Sequence, residues 1–302
     1  MTIINSAASE SSLASLSVVI ATLGGDSLKR TIESLNSGTI VPDEIVICIP
    51  MNEASRAEKF HAPNLRILKT TVRGQVAQRA AGFANVKNSF VMQLDDDMIV
   101  HYRCIEHLLC NVQLEKRMAV APVLVDFETG LSAYRTPPKN AYFSSLYYWM
   151  QNGAAGYQPG SVYLSGTPEG VDPWSQDQSL IEVQWLAGGC VMHRRENLIL
   201  ENFYPFSGKA FYEDIIHSYH LRSNDIRLAI DPKAICSLEL TPLTNLSPKE
   251  FIGSLISEFK VKKYYFQISS QHSYRIYFFY VFYAFNYFYK RFCKKLHEVF
   301  LF

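Results

Sequence analysis

Short runs of consecutive apolar residues alternate, over the first hundred positions, with segments whose apolar residues recur every three to four. Leu16-Ser-Val-Val-Ile-Ala21 reads as a buried strand broken by Thr22-Leu-Gly-Gly25, being too short and too glycine-bounded for a helix. Asp26 or Ser27 can cap the next helix, in which Leu28, Ile32 and Leu35 share one face. Pro42 precedes a second strand, Glu44-Ile-Val-Ile-Cys-Ile49, ended by Pro50, and Leu65-Arg-Ile-Leu68 reads as a third. A helix through Gln75–Ala84 leads to Ser89-Phe-Val-Met-Gln-Leu94, a fourth strand that runs directly into Asp95-Asp96-Asp97. Strands alternating with helices predict an α/β fold built on an open, mostly parallel sheet flanked by helices. Ligands of such sheets bind beyond the carboxyl ends of the strands. Thr22–Gly25, Pro50–Glu53 and Asp95–Asp97 all lie at such ends, so one shared pocket is expected there.

The pattern changes in the middle of the chain. Residues 151–178 are rich in Gly, Pro and Ser, which predicts a long loop of the kind that forms lids or stays disordered. Ile181-Glu-Val-Gln-Trp-Leu-Ala-Gly-Gly-Cys-Val-Met192 reads as a strand interrupted by two glycines. Phe211-Tyr-Glu-Asp-Ile-Ile-His217 opens a helix reaching about Arg222, and Ile226–Ile230 returns as a strand. The expected division is a polar leader at 1–15, a catalytic domain at 16–245 and an aromatic-rich helical region at 246–302.

Composition narrows the class. Of 302 residues, 48% are apolar and 19% charged, the balance of a folded chain. A net charge of +1 sets up no field for nucleic acid, and none is expected as a partner. The six cysteines are scattered with no Cys-x-x-Cys pair, against a zinc site or a disulfide framework. The polar, Ser-rich start does not read as a secretory signal, so the expected setting is the cytoplasm.

Three clusters carry chemistry. Three adjacent carboxylates at the end of an apolar strand repel one another and call for a compensating cation. Hard divalent ions such as Mg²⁺ or Mn²⁺ take carboxylate oxygens and bridge to diphosphates. A solvated acidic turn or a helix cap would use the same residues. Glu213-Asp214 at a helix start could place a carboxylate to accept a proton from a hydroxyl, or could serve only the helix dipole. In Trp185-Leu-Ala-Gly-Gly189 the glycines let backbone approach a ligand closely, and the Trp face can stack on a sugar; a bulge beside a core Trp is the plainer alternative. His217, one helical turn after Asp214, could complete a metal shell, as could His193, or either could simply pack.

Taken in order, these elements resemble the family 2 glycosyltransferases of GT-A fold. The resemblance rests on Ser17-Val-Val-Ile-Ala-Thr22, Gly74-Gln-Val-Ala-Gln-Arg79, Phe90–Asp97, Trp185–Arg194 and Tyr212-Glu-Asp214. It implies an inverting transfer of a sugar from a nucleotide diphosphate, with Asp214 as general base. It further implies that Thr22, Arg79, Asp95 and Asp96 line the nucleotide-sugar site, and that Asp95 and Asp97 hold Mn²⁺ or Mg²⁺, with His217 as a further candidate. Trp185, Gly188, Gly189 and Glu213 would face the acceptor. In many relatives the second strand ends in an acid that reads uracil; here it ends Ile47-Cys-Ile-Pro50, with Asn52 and Glu53 beyond.

From Phe259 onward aromatic residues dominate, and more than half of the stretch from Tyr264 to Tyr289 is Tyr or Phe. The uncharged run from Ile276 to Tyr289 would extend roughly 21 Å as a helix, short of the ~30 Å hydrocarbon core. Lys260, Lys262 and Lys263 flank the aromatic stretch on one side and Lys290, Arg291, Lys294 and Lys295 on the other, which suits an in-plane anchor on anionic lipid. A helix docked on the catalytic domain would explain the same residues. The expected function is transfer of a sugar, with UDP-sugar favoured, to a saccharide acceptor, lipid-linked by the logic of the tail, in polysaccharide assembly at a membrane surface. Two alternatives stand beside it: a polyprenyl-phosphate glycosyltransferase, and a non-catalytic membrane-bound sugar- or partner-binding protein.

Overall fold

The computed structural model describes residues 15–134, 142–172, 179–208, 210–239, 247–271 and 274–300; residues 1–14 of the polar leader lie outside them. The first half of the sheet comprises β1 (Leu16–Ala21), β2 (Glu44–Pro50), β3 (Leu65–Thr70) and β4 (Phe90–Leu94), connected in part by helices α1 (Ser27–Leu35) and α2 (Gln75–Ala84). β1 lies between β2 and β4, and β3 flanks β2, with all pairings parallel. Every residue of β1 and β4 is buried, which is why these strands read as continuous apolar runs. The parallel arrangement brings the carboxyl ends of β1, β2 and β4 to one edge, as expected.

The second half adds β5 (Ile99–Val100), α3 (Cys104–Leu114), β6 (Met118–Asp126), α4 (Tyr142–Asn152), β7 (Ile181–Glu182), β8 (Cys190–Arg194), α5 (Glu213–Ser223) and β9 (Arg227–Leu238). The strand order is β3-β2-β1-β4-β8-β6-β9-β5, with β7 also paired to β9. The single glycine-interrupted strand expected at 181–192 is thus two strands in different places: β7 pairs with β9, while β8 runs antiparallel between β4 and β6. The strand expected at 226–230 continues to Leu238, with a register shift opposite Pro122/Val123. A proline has no N–H to give the ladder, so the pairing must step there.

Part of the expected long loop is not a loop. Gln151 and Asn152 close α4, and the chain beyond them folds back through a bridge between Val162 and Pro168. Tyr163, Ser165 and Gln151 are buried, and the Ser165 hydroxyl donates to Gln151 Oε1. Residues 173–178 lie outside the described part.

Helices α6 (Pro248–Ile268) and α7 (Arg275–Phe300) form the C-terminal region. Ser247 and Glu250 cap α6 reciprocally, and Pro248 occupies its first turn, where a missing N–H costs nothing. α7 spans 26 residues, nearly twice the uncharged run, because the basic residues after Tyr289 continue it rather than end it. Its Ile276, Phe279 and Tyr280 join Tyr265 and Phe266 of α6, Ile215 and Ile216 of α5 and Trp185 in one buried cluster. Phe251 of α6 stacks on Tyr287 of α7 with centroids 3.7 Å apart. The C-terminal helices therefore share a core with the element that carries Glu213-Asp214. The opposite stripe of α7, Tyr277, Phe278, Val281, Phe285, Phe288 and Phe292, is exposed. Among the described residues no helix is long and apolar enough to cross a membrane. Lys262, expected on the basic flank, is instead fully buried.

Candidate active site

The site is assembled at the carboxyl ends of β1 and β4. Ile20 lies beside Leu94 in the parallel register, so Thr22 comes level with Asp96, and its hydroxyl donates to Asp96 Oδ2. The Thr31 hydroxyl of α1 donates to the Asp96 carbonyl at 3.0 Å. Asp95 turns the other way, toward α2: its Oδ1 accepts from Arg79 Nη2 and from Gln75 Nε2, each at 2.8 Å. Asp97 is exposed and lines a cleft with Ser27, Arg30, Phe127 and Glu239. From below, the Gln78 amide donates to the carbonyls of Thr22 and Cys48, tying the ends of β1 and β2 together.

β8 and α5 supply the other wall. Because Leu94 pairs with Cys190, the glycines preceding β8 fall against the aspartates, and Asp95 N donates to the Gly189 carbonyl at 2.8 Å. A Cβ at Gly188 would stand 2.6 Å from Glu213 Oε1, so a side chain there would displace the glutamate. Glu213 Oε1 accepts from Arg79 Nη1 at 2.7 Å. Arg79 is 3% exposed and Glu213 5%. The arginine is therefore a buried clamp that joins the acidic strand end to the acidic helix start. Tyr212, immediately before α5, holds φ at +52°, a left-handed conformation that is unusual for a bulky residue.

Charge is unbalanced in this pocket. Arg79 pairs with Asp95 and Glu213, while Asp97 repels Asp95 and Asp96, and Glu213 and Asp95 repel Asp214. Burial raises the pKa of Asp95 to about 6 against the opposing pull of Arg79, and the carboxylates of Glu213 and Asp97 raise it further. Burial also raises Asp214, to about 7, with Glu213 adding to the shift. Asp96 is raised by burial as well, and the Thr22 hydroxyl opposes the shift.

Such a surplus of hard oxygen donors fits a divalent cation. Among the described residues no three His, Cys, Asp or Glu side chains converge as a ready-made metal cage.

The other expected site residues are placed as follows. His217 is buried, stacked on Phe203 with parallel rings 5.3 Å apart and lying 5.6 Å from His193. Burial and the nearby Arg79 depress its pKa to about 3; the packing makes it a neutral core aromatic and gives no support to a ligand role. His193 is buried too, in β8. Trp185 is buried with its Nε1 donating to the Glu169 carbonyl at 2.8 Å, so its indole supports the wall and does not present an open stacking face. Arg79 and Glu213, expected to line the nucleotide and acceptor sides, face each other under the pocket. Gln75 and Gln93, whose amide donates to the Gly188 carbonyl, were given no role from the sequence, and Tyr212 appeared there only within the Tyr212-Glu-Asp214 match. The one available signal for Gln75 was its place on the same α2 face as Arg79, one turn earlier.

An acidic strand-end pocket on a mostly parallel half-sheet is the arrangement of the GT-A fold. Residues 17–164 match the model of glycosyl transferase family 2, and the fold agrees with that match. Among solved structures it is similar to one described as the crystal structure of GalNAc-T7 with UDP, GalNAc and Mn²⁺, at a TM-score of 0.56 and 17% identity. That match covers 83% of this chain, which spans 50% of that one. No curated protein sequence matches the chain.

Proposed function

We propose that this chain transfers a sugar, with inversion, from a nucleotide diphosphate donor, UDP-sugar favoured, to a hydroxyl of a saccharide acceptor. The observation that carries the reading is the acidic strand end joined through Arg79 to the acidic helix start; Asp214 lies beside that junction, raised by burial to about 7, where a general base works best near neutral pH. Asp214 accepts the acceptor hydroxyl proton as that oxygen bonds to the anomeric carbon. The bond from that carbon to the diphosphate oxygen breaks with its electron pair, and the nucleoside diphosphate leaves from the opposite face. Thr22 and Asp96 position the donor, and Arg79 holds Asp95 and Glu213 in place. A bound Mn²⁺ or Mg²⁺, held by Asp97 and Asp95, would neutralise charge on the departing diphosphate. The Mn²⁺ and UDP in the GalNAc-T7 structure are consistent with this.

Calorimetric titration tests the donor half of the reading. UDP should bind wild-type protein in Mn²⁺ and lose most of its affinity after chelation. Asp97→Ala should bind UDP equally weakly with or without the metal. Binding of UDP, GDP and dTDP that ignores Mn²⁺ altogether would contradict it.

A membrane-bound acceptor is the finer part of the proposal. α7 is apolar on both faces, and only one is covered; such a helix needs a second apolar environment. The exposed stripe has the aromatic content of an interfacial helix, so we place it on an anionic bilayer near a lipid-linked acceptor. Replacing Phe278, Phe285 and Phe292 by Ser should abolish co-flotation with anionic vesicles while leaving UDP binding intact. Unchanged flotation of the triple variant would sink the anchor.

A further inference from the structure

Lys262 is the most buried cation outside the pocket, with no exposed surface. Its Nζ sits 3.9 Å from the ring centroid of Phe279, 4.6 Å from Tyr212 and 5.2 Å from Tyr280. It donates a hydrogen bond, at 3.0 Å, to the Thr167 hydroxyl; burial lowers its pKa to about 7, and Glu258, one helical turn earlier, opposes that shift. An ammonium in so apolar a place is costly, and three ring faces with one hydroxyl offset part of that cost. Two of the rings belong to α7, but the third, Tyr212, is the left-handed residue that starts α5. A strained tyrosine keeps such a backbone conformation only where neighbours impose it.

We infer that Lys262 is a positioning residue: its aromatic cage holds Tyr212 in the left-handed conformation and thereby fixes where the first turn of α5 directs Asp214. This rests on Asp214 being the base of the proposed reaction. Glu213 is anchored independently by Arg79, whereas the side chain of Asp214 accepts from backbone N–H groups of its own turn, those of Ile215, at 3.0 Å, and of Asp214 itself. Its direction is therefore set mainly by the backbone that Tyr212 begins. The C-terminal helices become part of the catalytic apparatus as well as a docking region, since the strut that reaches the helix start comes from α6.

The test uses the full chain and Lys262→Met, which keeps the length and removes the charge. Amide exchange at residues 212–216 should rise while exchange in β1 and β4 stays as in wild type. The kcat for transfer should fall between about tenfold and a hundredfold, the scale expected for a shift of roughly 1 Å, with donor KM within about twofold. Tyr212→Gly adopts the left-handed conformation without strain. In that background Lys262→Met should lower kcat by no more than about twofold. Thr167→Val, which removes only the hydroxyl partner, should produce the same split between kcat and KM at smaller amplitude, and covers the case in which Lys262→Met does not fold. Asp214→Asn, run alongside, separates the two claims. If it silences transfer while Lys262→Met and Thr167→Val leave exchange and kcat unchanged, the strut is wrong and the reaction stands. Additive effects of Lys262→Met and Tyr212→Gly would likewise overturn the strut. If Asp214→Asn leaves transfer intact, the base assignment and the positioning role built on it both fall.

Discussion

Arg79→Met should unfold far more easily than wild type, by about 3–5 kcal/mol in denaturant titrations, the usual consequence of removing one partner from a buried ionic group. Arg79 gives one hydrogen bond to Asp95 and another to Glu213, at 2.8 and 2.7 Å. Methionine fills much of the same volume but leaves two carboxylates facing each other in a poorly hydrated place. The pH dependence of the deficit identifies the cause. In the native protein the Asp95 pKa is raised from 3.8 to about 6, so the folded state holds this proton more tightly than the unfolded chain. That contribution to stability is complete below the unfolded value and fades as pH rises through the folded one. Without Arg79 the folded pKa climbs further and the window of loss moves upward. The variant should therefore lie nearest wild type in acid and furthest from it above neutrality. A deficit that is constant across pH would mean that lost packing, and not uncompensated charge, is responsible.

Legibility in the sequence depends on how local each signal is. β1, β2 and β4 are mostly apolar runs ended near Gly, Pro or Asp, β3 carries Leu65, Ile67 and Leu68, and α2 carries its own period, so these elements stand where the pattern puts them. Asp95–Asp97 announce themselves because acids at the end of a buried strand need a reason. The partners of those acids are not local. That Arg79 faces Glu213, 134 positions later, depends on α2 and α5 meeting beneath β4 and β8, which no window of sequence contains. Trp185 and His217 illustrate what sequence cannot show: these residue types could bind a ligand or pack, and only the fold places them against Glu169, Phe203 and His193. Gly188 was visible as a glycine, but its reason, the 2.6 Å approach of Glu213 to any added Cβ, was not. Lys262 misled most. In sequence it belongs to a basic cluster, and only the helical turn of α6 separates it from exposed Lys260 and Lys263 and points it inward.

Asp214→Asn should cost about 10²–10⁴-fold in kcat, the range for losing a positioned general base. Asparagine has nearly the same shape, and its oxygen can still accept from Ile215 N–H, as Asp214 Oδ1 does at 3.0 Å, so the helix start should hold. The donor should still bind, because Asp95, Asp96 and Asp97 are untouched. In wild type, kcat/KM should rise with pH and level off above about 7, where Asp214 loses its proton, and the residual rate of the variant should lack that limb. A phosphate acceptor needs no base, so a polyprenyl-phosphate transferase would barely register the change. The most direct measurement is therefore transfer and UDP affinity determined on the same preparation of wild type and Asp214→Asn in Mn²⁺. Transfer reduced by orders of magnitude at unchanged UDP affinity is the predicted result; transfer at the wild-type rate would contradict it.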